Sequence, residues 1–290
     1  MKNRVSVLIL MLFLPFLGFA QGADKVLSKK EIRKSRPSYI RLSFGFNASS
    51  FRDFATSPLV YSGTATYSEF SKLRLDQERE TDFGLSFSTG NFSNSFNDHV
   101  SASAVKMLTG HYSQLFKFKK LSKGKYNVKV GGALNITGNL RTNPSLQNNA
   151  LGLEIIPTLF GSIKVTKDIS LKKEKNKRFL FIRYKVKPKV RHLSFNLNVG
   201  LMNSSYRNGF VYSGQSAVLN DTRAFDDYSF NMFSGFRINS ALDYTITLAN
   251  KNKIQFSYLW QAYNTGESLD EIEVANHIFK LSFLFNTNAK

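Results

Sequence analysis

Hydrophobic and polar residues alternate along most of this chain, and the clearest example lies near its end, in residues 275–285. Phe279 and Phe283 fall on one face of an extended strand there, while Lys280 and Ser282 fall on the other, because successive side chains of a β-strand point to opposite faces. Such a strand can bury its aromatic face against a second sheet, as in a soluble sandwich, or turn it to lipid, as in a transmembrane barrel. The remaining segments decide between these two environments.

The same alternation predicts an all-β protein, a transmembrane antiparallel up-and-down barrel of about ten strands, within a range of about eight to twelve. The predicted strands cover residues 38–48, 64–75, 83–88, 100–116, 126–137, 153–165, 193–201, 228–248, 254–260 and 275–285. The strand at 228–248 is expected to bend near Asn239. The last strand is expected to pair with the first, which leaves no free sheet edge.

Short joins and longer loops alternate between the predicted strands, which places both termini on one side, the periplasmic side, of an outer-membrane barrel. The longer predicted loops are 51–63, 91–99, 139–149, 202–227 and 262–273. A soluble two-sheet sandwich is the alternative fold. In a sandwich the apolar faces would pack against each other, and Arg41, Lys129 and Glu154 would lie outside.

The amino terminus has the pattern of a secretory signal peptide. Lys2 and Arg4 precede an apolar run at 5–17, and Gly18 and Ala20 supply the small residues of a cleavage site. A transmembrane helix would need roughly 20 apolar residues, so this run is too short to be an anchor. The predicted organisation is a signal peptide at 1–20, a basic periplasmic tail at 21–37 and an outer-membrane barrel domain at 38–290.

Composition changes this picture at three points. The 40 Lys and Arg against 20 Asp and Glu give a net charge of +20, which in a cytosolic protein would suggest nucleic-acid binding, but the export signal argues against nucleic acid as a partner. The 27 Phe and 12 Tyr are many for an exported chain and suit strands that face lipid on one side. The absence of Cys excludes disulfides, thiol catalysis and Cys-based metal sites.

Together these features resemble the small outer-membrane β-barrel proteins of Gram-negative bacteria, especially those of the Bacteroidota type. The export junction reads Gly18-Phe19-Ala20-Gln21, and the last strand ends Phe283-Leu284-Phe285. The resemblance implies a place in the cell outer membrane and a last strand that the barrel-assembly machinery reads during insertion. Residues 286–290 follow the aromatic end, whereas many such families stop at it. The resemblance covers nearly the whole mature chain and brings no active site with it.

Charged residues on the polar faces of predicted strands are candidates for the barrel lumen. These candidates are Arg41, Lys129, Glu154, Arg237 and Asp243. A second group lies in the basic insert 164–191 and forms a candidate periplasmic patch. Its members are Lys172, Lys173, Lys175, Lys177, Arg178, Lys185, Lys187 and Lys189. The expected partners are outer-membrane lipids, whose anionic headgroups attract such a patch, and a periplasmic or envelope protein with acidic groups.

Candidate chemistry is sparse in this sequence. The four His residues have no metal-ligand spacing, so neither a metal nor another cofactor is predicted. His111 and Ser113 fall on one strand face, as in outer-membrane phospholipases, but Gln114 follows where the phospholipase motif continues Ser-Asn-Gly. The predicted function is a non-enzymatic scaffold or interaction subunit of the cell envelope, with a lumen too narrow and filled for a general porin. The alternatives are a narrow channel or small-solute transporter, and an outer-membrane lipid hydrolase that uses this His and Ser.

Overall fold

The fold of the polypeptide is taken from a computed structural model, which describes residues 36–96, 99–149, 151–171, 174–186, 188–208, 228–265 and 271–288. The predicted signal peptide and nearly all of the basic tail lie outside these ranges. The barrel forms a compact unit that begins at Pro37.

The described residues are almost entirely β-structure. The strands are β1 (Ser38–Asp53), β2 (Ser57–Leu75), β3 (Arg79–Phe96), β4 (His99–Lys117), β5 (Tyr126–Thr142), β6 (Leu151–Asp168), β7 (Lys175–Phe179), β8 (Ile182–Val186), β9 (Arg191–Asn208), β10 (Tyr228–Met232), β11 (Phe236–Thr247), β12 (Lys253–Thr265) and β13 (Ile272–Asn286). A 3-10 helix, Pro144–Asn149, follows β5. Within the described ranges, no helix is long and apolar enough to cross a membrane.

Ten of these strands, β1–β6, β9 and β11–β13, close into an antiparallel barrel, which confirms the predicted fold and strand number. The seam forms between the first and last strands, from Tyr39 opposite Asn286 to Asp53 opposite Ile272, as the sequence predicts. The short strand β10 pairs with the end of β9, and β7 with β8 forms a separate hairpin. Both ends of the described chain therefore lie at one end of the barrel, here called the terminal end, and the opposite end is the far end.

The apolar side of the sheet faces outward, which is the reverse of a soluble sandwich. On β1, Phe44 is 60% exposed, whereas its neighbour Ser43 is 0% exposed. On β13, Phe279, Phe283 and Phe285 are all exposed and Ser282 is buried. Large apolar side chains form an outward band over most strands. They include Phe46, Phe70, Phe83, Leu85, Phe87, Leu108, Leu134, Ile136, Ile163, Phe195, Leu242 and Phe256. Because the polar faces point inward, the sandwich alternative is wrong.

Two of the predicted loops are wrong, since residues 51–63 and 91–99 are mostly strand. β1 and β2 meet in a tight turn at Phe54, Ala55 and Thr56, and β3 continues to Phe96. The third strand also begins earlier than predicted, at Arg79 and not at residue 83.

The predicted bend near Asn239 occurs earlier, between β10 and β11. Phe233 and Gly235 take positive φ values of 56° and 71° there. The pairing with β9 continues on either side of the break, from Met232 opposite Ser204 to Ile238 opposite Val199. The left-handed backbone at this point interrupts the strand, whereas the segment around Asn239 stays regular.

Gly45 permits a close approach of β1 to β13 at the seam. A Cβ atom at Gly45 would lie 2.0 Å from the carbonyl oxygen of Phe279 and 2.8 Å from Cα of Lys280. Both atoms are backbone, so an added methyl group displaces the strands. A Cβ atom at Gly110 would meet only the side chain of Leu85, at 3.5 Å.

We expect Gly45→Ala to lower the free energy of unfolding by about 1–3 kcal/mol, the usual cost of overpacking. Urea unfolding of lipid-reconstituted protein, followed by heat-modifiable gel migration, measures this change. Gly110→Ala is the matched control and should leave the midpoint nearly unchanged. Equal effects of the two substitutions would contradict the seam contact.

Candidate functional site

The interior of the barrel divides into two parts. The part nearest the far end is packed with side chains, and it is called here the plug. It is formed by Phe51, Asp53, Tyr61, Phe92, Asn139, Arg141, Glu154, Arg207, Arg237 and Tyr263. The part nearest the terminal end is a cavity of about 740 Å³.

Ion pairs form the polar half of the plug. Arg141 contacts both Asp53 and Glu154 through its guanidinium group, and Nη2 of Arg207 lies 2.6 Å from Oδ1 of Asp53. All four side chains are buried. Because each carboxylate is paired with a guanidinium group, the four charges compensate one another in a space that has little room for water.

Aromatic rings complete the plug. Phe51 and Tyr61 stack with centroids 5.2 Å apart, and the guanidinium carbon of Arg141 lies 5.2 Å from the centroid of Phe51. Arg237 donates to Oγ1 of Thr137 at 2.9 Å and lies over the ring of Tyr263 at 4.9 Å. The void that Phe51, Asn139, Arg141 and Tyr263 line holds about 30 Å³, the space of a few water molecules at most. The lumen is therefore closed at the far end.

One wall of the cavity carries charges in two paired clusters. In the first, Nη2 of Arg41 lies 2.6 Å from Glu69 and 2.6 Å from Asp82, and Lys280 also contacts Glu69. His111 extends this cluster, with Nε2 3.7 Å from Oδ1 of Asp82. The shared carboxylates join the four adjacent strands β13, β1, β2 and β3 along this wall.

The second cluster lies nearer the terminal end and centres on Glu80. Nζ of Lys164 is 2.5 Å from Oε1 of Glu80, and Nζ of Lys129 is 3.5 Å from Oε2. Lys129 also donates to the backbone carbonyl of Asp76 at 2.6 Å. One carboxylate thus holds two lysines from adjacent strands.

The structure places all five predicted lumen charges inside the barrel. Arg41, Lys129 and Asp243 line the cavity, whereas Glu154 and Arg237 belong to the plug. Sequence reasoning missed several other residues of the same ion-pair clusters. These are Asp53, Glu69, Glu80, Asp82, Arg141, Arg207 and Lys280.

The basic insert lies at the terminal end, since it joins the end of β6 to the start of β9. Of the predicted patch, Lys172, Lys173 and Lys187 lie outside the described residues. Lys175, Lys177 and Arg178 belong to strand β7. Lys185 and Lys189 are exposed. The described basic residues are therefore spread over a hairpin and its flank.

His111 and Ser113 both line the cavity, as their shared strand face predicts. The charged neighbour of His111 is Asp82, and no hydrogen bond joins this His to Ser113 among the described contacts. In the same ranges, no group of three or more His, Asp or Glu residues could hold a metal ion. The geometry therefore shows a polar cavity. The absence of a cofactor stays a prediction.

Comparisons with known proteins add little to this geometry. No protein-family model matches the chain, and no curated protein matches it. Among solved structures, the chain is similar to a TodX deltaS2S3 mutant monoaromatic hydrocarbon channel, with 7% identity, a TM-score of 0.33, and coverage of 87% of this chain and 91% of that one. It is also similar to the beta domain of the Bordetella autotransporter BrkA, with 9% identity, a TM-score of 0.32, and coverage of 86% and 99%. The outer membrane protein OpdK from Pseudomonas aeruginosa matches at 7% identity with a TM-score of 0.16, covering 84% and 99%.

At these TM-scores the likeness carries no argument about function. The class of the protein follows from its own strand pairing and side-chain faces: it is a closed antiparallel β-barrel with a polar interior and an apolar exterior.

Proposed function

We propose that the protein is an integral β-barrel of the bacterial outer membrane. The supporting observation is the outward apolar band, in which Phe44, Phe70 and Phe83 are all more than half exposed. In water such a band would be costly, whereas lipid-facing strands of outer-membrane barrels carry one. The terminal end would face the periplasm, since that is where outer-membrane barrels keep both termini.

Within this class, we propose a non-enzymatic scaffold or interaction subunit of the envelope in preference to a channel. The observation that carries this choice is the plug, in which Arg141 joins Asp53 to Glu154 across the lumen. A channel needs a continuous aqueous path, and side chains can fill the lumen of a barrel of about eight strands, which is only slightly narrower than this one. The exposed lysines at the terminal end, Lys185 and Lys189, support contact with anionic lipid headgroups or an acidic envelope protein.

This function predicts that the barrel does not conduct ions. Purified protein reconstituted into planar bilayers should show no steady conductance above that of the empty bilayer, because the plug leaves no water-filled path. Heat-modifiable gel migration of the same sample verifies that the barrel is folded. A reproducible open-pore conductance in the folded protein would favour the narrow channel instead.

A further inference from the structure

The cavity wall formed by β6, β9, β11 and β12 carries a row of neutral polar side chains beside the charged residues Lys164, Asp243 and Lys253. Ser162 of β6 lies opposite Asn198 of β9, Asn198 lies opposite Asn239 of β11, and Asn239 lies opposite Gln261 of β12. These four residues form one continuous row across four adjacent strands, and all of them line the cavity. They are called here the amide row.

Several polar atoms of this wall have no partner within the described protein. Oδ1 of Asn239 and Oγ of Ser162 accept no hydrogen bond from it, and neither does Oγ of Ser257 on the adjacent β12. Asn239 is only 3% exposed. Burying such groups unpaired is unfavourable, so a ligand in the cavity that hydrogen-bonds to them would stabilise this wall.

Most charged side chains of the cavity form ion pairs with other side chains of the protein. Arg41 and Lys280 are held by Glu69 and Asp82, while Lys129 and Lys164 are held by Glu80. The cavity is also lined by three further cations, Lys117, Lys125 and Lys253, and by three further carboxylates, Asp76, Asp168 and Asp243. Nζ of Lys253 lies 4.6 Å from the ring centroid of Tyr39. These opposite charges nearly balance, so the cavity has little net charge with which to select an ion.

We propose that the cavity is a binding site for a neutral polyhydroxylated ligand, a small saccharide or polyol. Amide and hydroxyl side chains both donate and accept hydrogen bonds, as sugar hydroxyl groups do. The volume of about 740 Å³ lies within the range of small-molecule sites. Because the plug closes the far end, the ligand enters and leaves through the terminal end. This inference goes beyond the scaffold function and depends only on the closed lumen and the amide row.

Saturation-transfer difference NMR with sucrose as the probe tests this site in detergent-solubilised full-length protein. We expect the native protein to bind sucrose saturably. Asn239→Leu and Asn198→Leu should each weaken this binding by about tenfold, because each removes a hydrogen bond and leaves a polar group of the ligand without a partner. Asn91→Leu is the matched control, because Asn91 is exposed on the outer face of β3, and it should bind sucrose as the native protein does. Heat-modifiable migration verifies that each variant is folded.

Inorganic phosphate provides the charged arm of the experiment, and its binding is followed by phosphorus NMR line broadening because phosphate has no carbon-bound proton for saturation transfer. Saturable binding of phosphate in place of sucrose would replace the proposed ligand by an anion and overturn the inference. Absence of saturable sucrose binding to the folded native protein would overturn it as well, whatever the variants do. Neither outcome bears on membrane insertion or conductance, so a failure here is distinct from a failure of the proposed function.

Discussion

Replacing Arg141 with alanine is expected to lower the free energy of unfolding by about 3–5 kcal/mol, because the change leaves the buried carboxylate of Glu154 without its guanidinium partner. Arg141 is the only side chain that joins Asp53 to Glu154 in the described contacts. Glu154 is 0% exposed, so water cannot readily replace the lost guanidinium. Asp53 keeps its contact with Arg207, which makes Glu154 the group that bears most of the cost.

Urea unfolding in lipid vesicles measures this loss, and Arg52→Ala serves as the control. Arg52 neighbours Asp53 on β1 and pairs with Glu273 at 2.7 Å, but both partners of that pair are well exposed. Exposed pairs contribute about 0–1 kcal/mol, so the control should shift the unfolding midpoint little. A similar, small effect of both substitutions would show that the plug does not depend on its charges.

The same variant also tests whether the plug closes the lumen. Removing the guanidinium of Arg141 frees space beside Phe51, over which it lies. Folded Arg141→Ala protein that conducts ions while the native protein does not would identify the plug as the barrier.

The sequence predicts which side chains face the interior of the barrel, but it does not predict which of them contact one another. A strand period of two assigns Arg41, Lys129 and Asp243 to the inner face, and the structure places all three inside. Which carboxylate each cation meets depends on how neighbouring strands are staggered around the barrel, and periodicity alone does not determine that stagger.

Three of the missed residues, Asp53, Arg141 and Arg207, lie where the apolar pattern fades. Beyond the outward band, outward positions are polar as well: Asn91 and Ser93 are exposed on β3 although the strand continues to Phe96. Alternation then disappears from the sequence while the backbone pairing persists. Asp53 stands an even number of residues from Arg41, so extending the same phase along β1 would have placed it inside.

A glycine marks the break between β10 and β11, where the backbone requires a positive φ. Gly235 stands at the break between β10 and β11, where φ is 71°, and a glycine is a good indicator of such a position. Phe233 has no such signal, because an aromatic residue rarely takes its φ of 56°. The predicted position of the bend, near Asn239, is wrong, because the neighbours of Asn239 pair regularly with β9 and β12.

Phe44→Arg distinguishes a lipid-facing band from an exposed soluble surface. Phe44 lies well inside β1, is 60% exposed, and points away from the lumen. In a bilayer, a charged side chain near the midplane of a barrel costs about 2–4 kcal/mol, whereas the cost falls to about 0–1 kcal/mol near the interfaces. We therefore expect Phe44→Arg to destabilise the vesicle-inserted barrel strongly.

Val60→Arg is the matched control for depth. Val60 is also outward and exposed, but it lies near the far end of the barrel, on β2 beside the β1–β2 turn. Urea unfolding in vesicles should show a large loss for Phe44→Arg and a small one for Val60→Arg, because only the first charge is forced into hydrocarbon. If the outward band instead faced water, both substitutions would replace an exposed apolar group by a hydrated one, and the difference between them would vanish. The difference between the stability losses of Phe44→Arg and Val60→Arg therefore decides whether the outward band faces lipid.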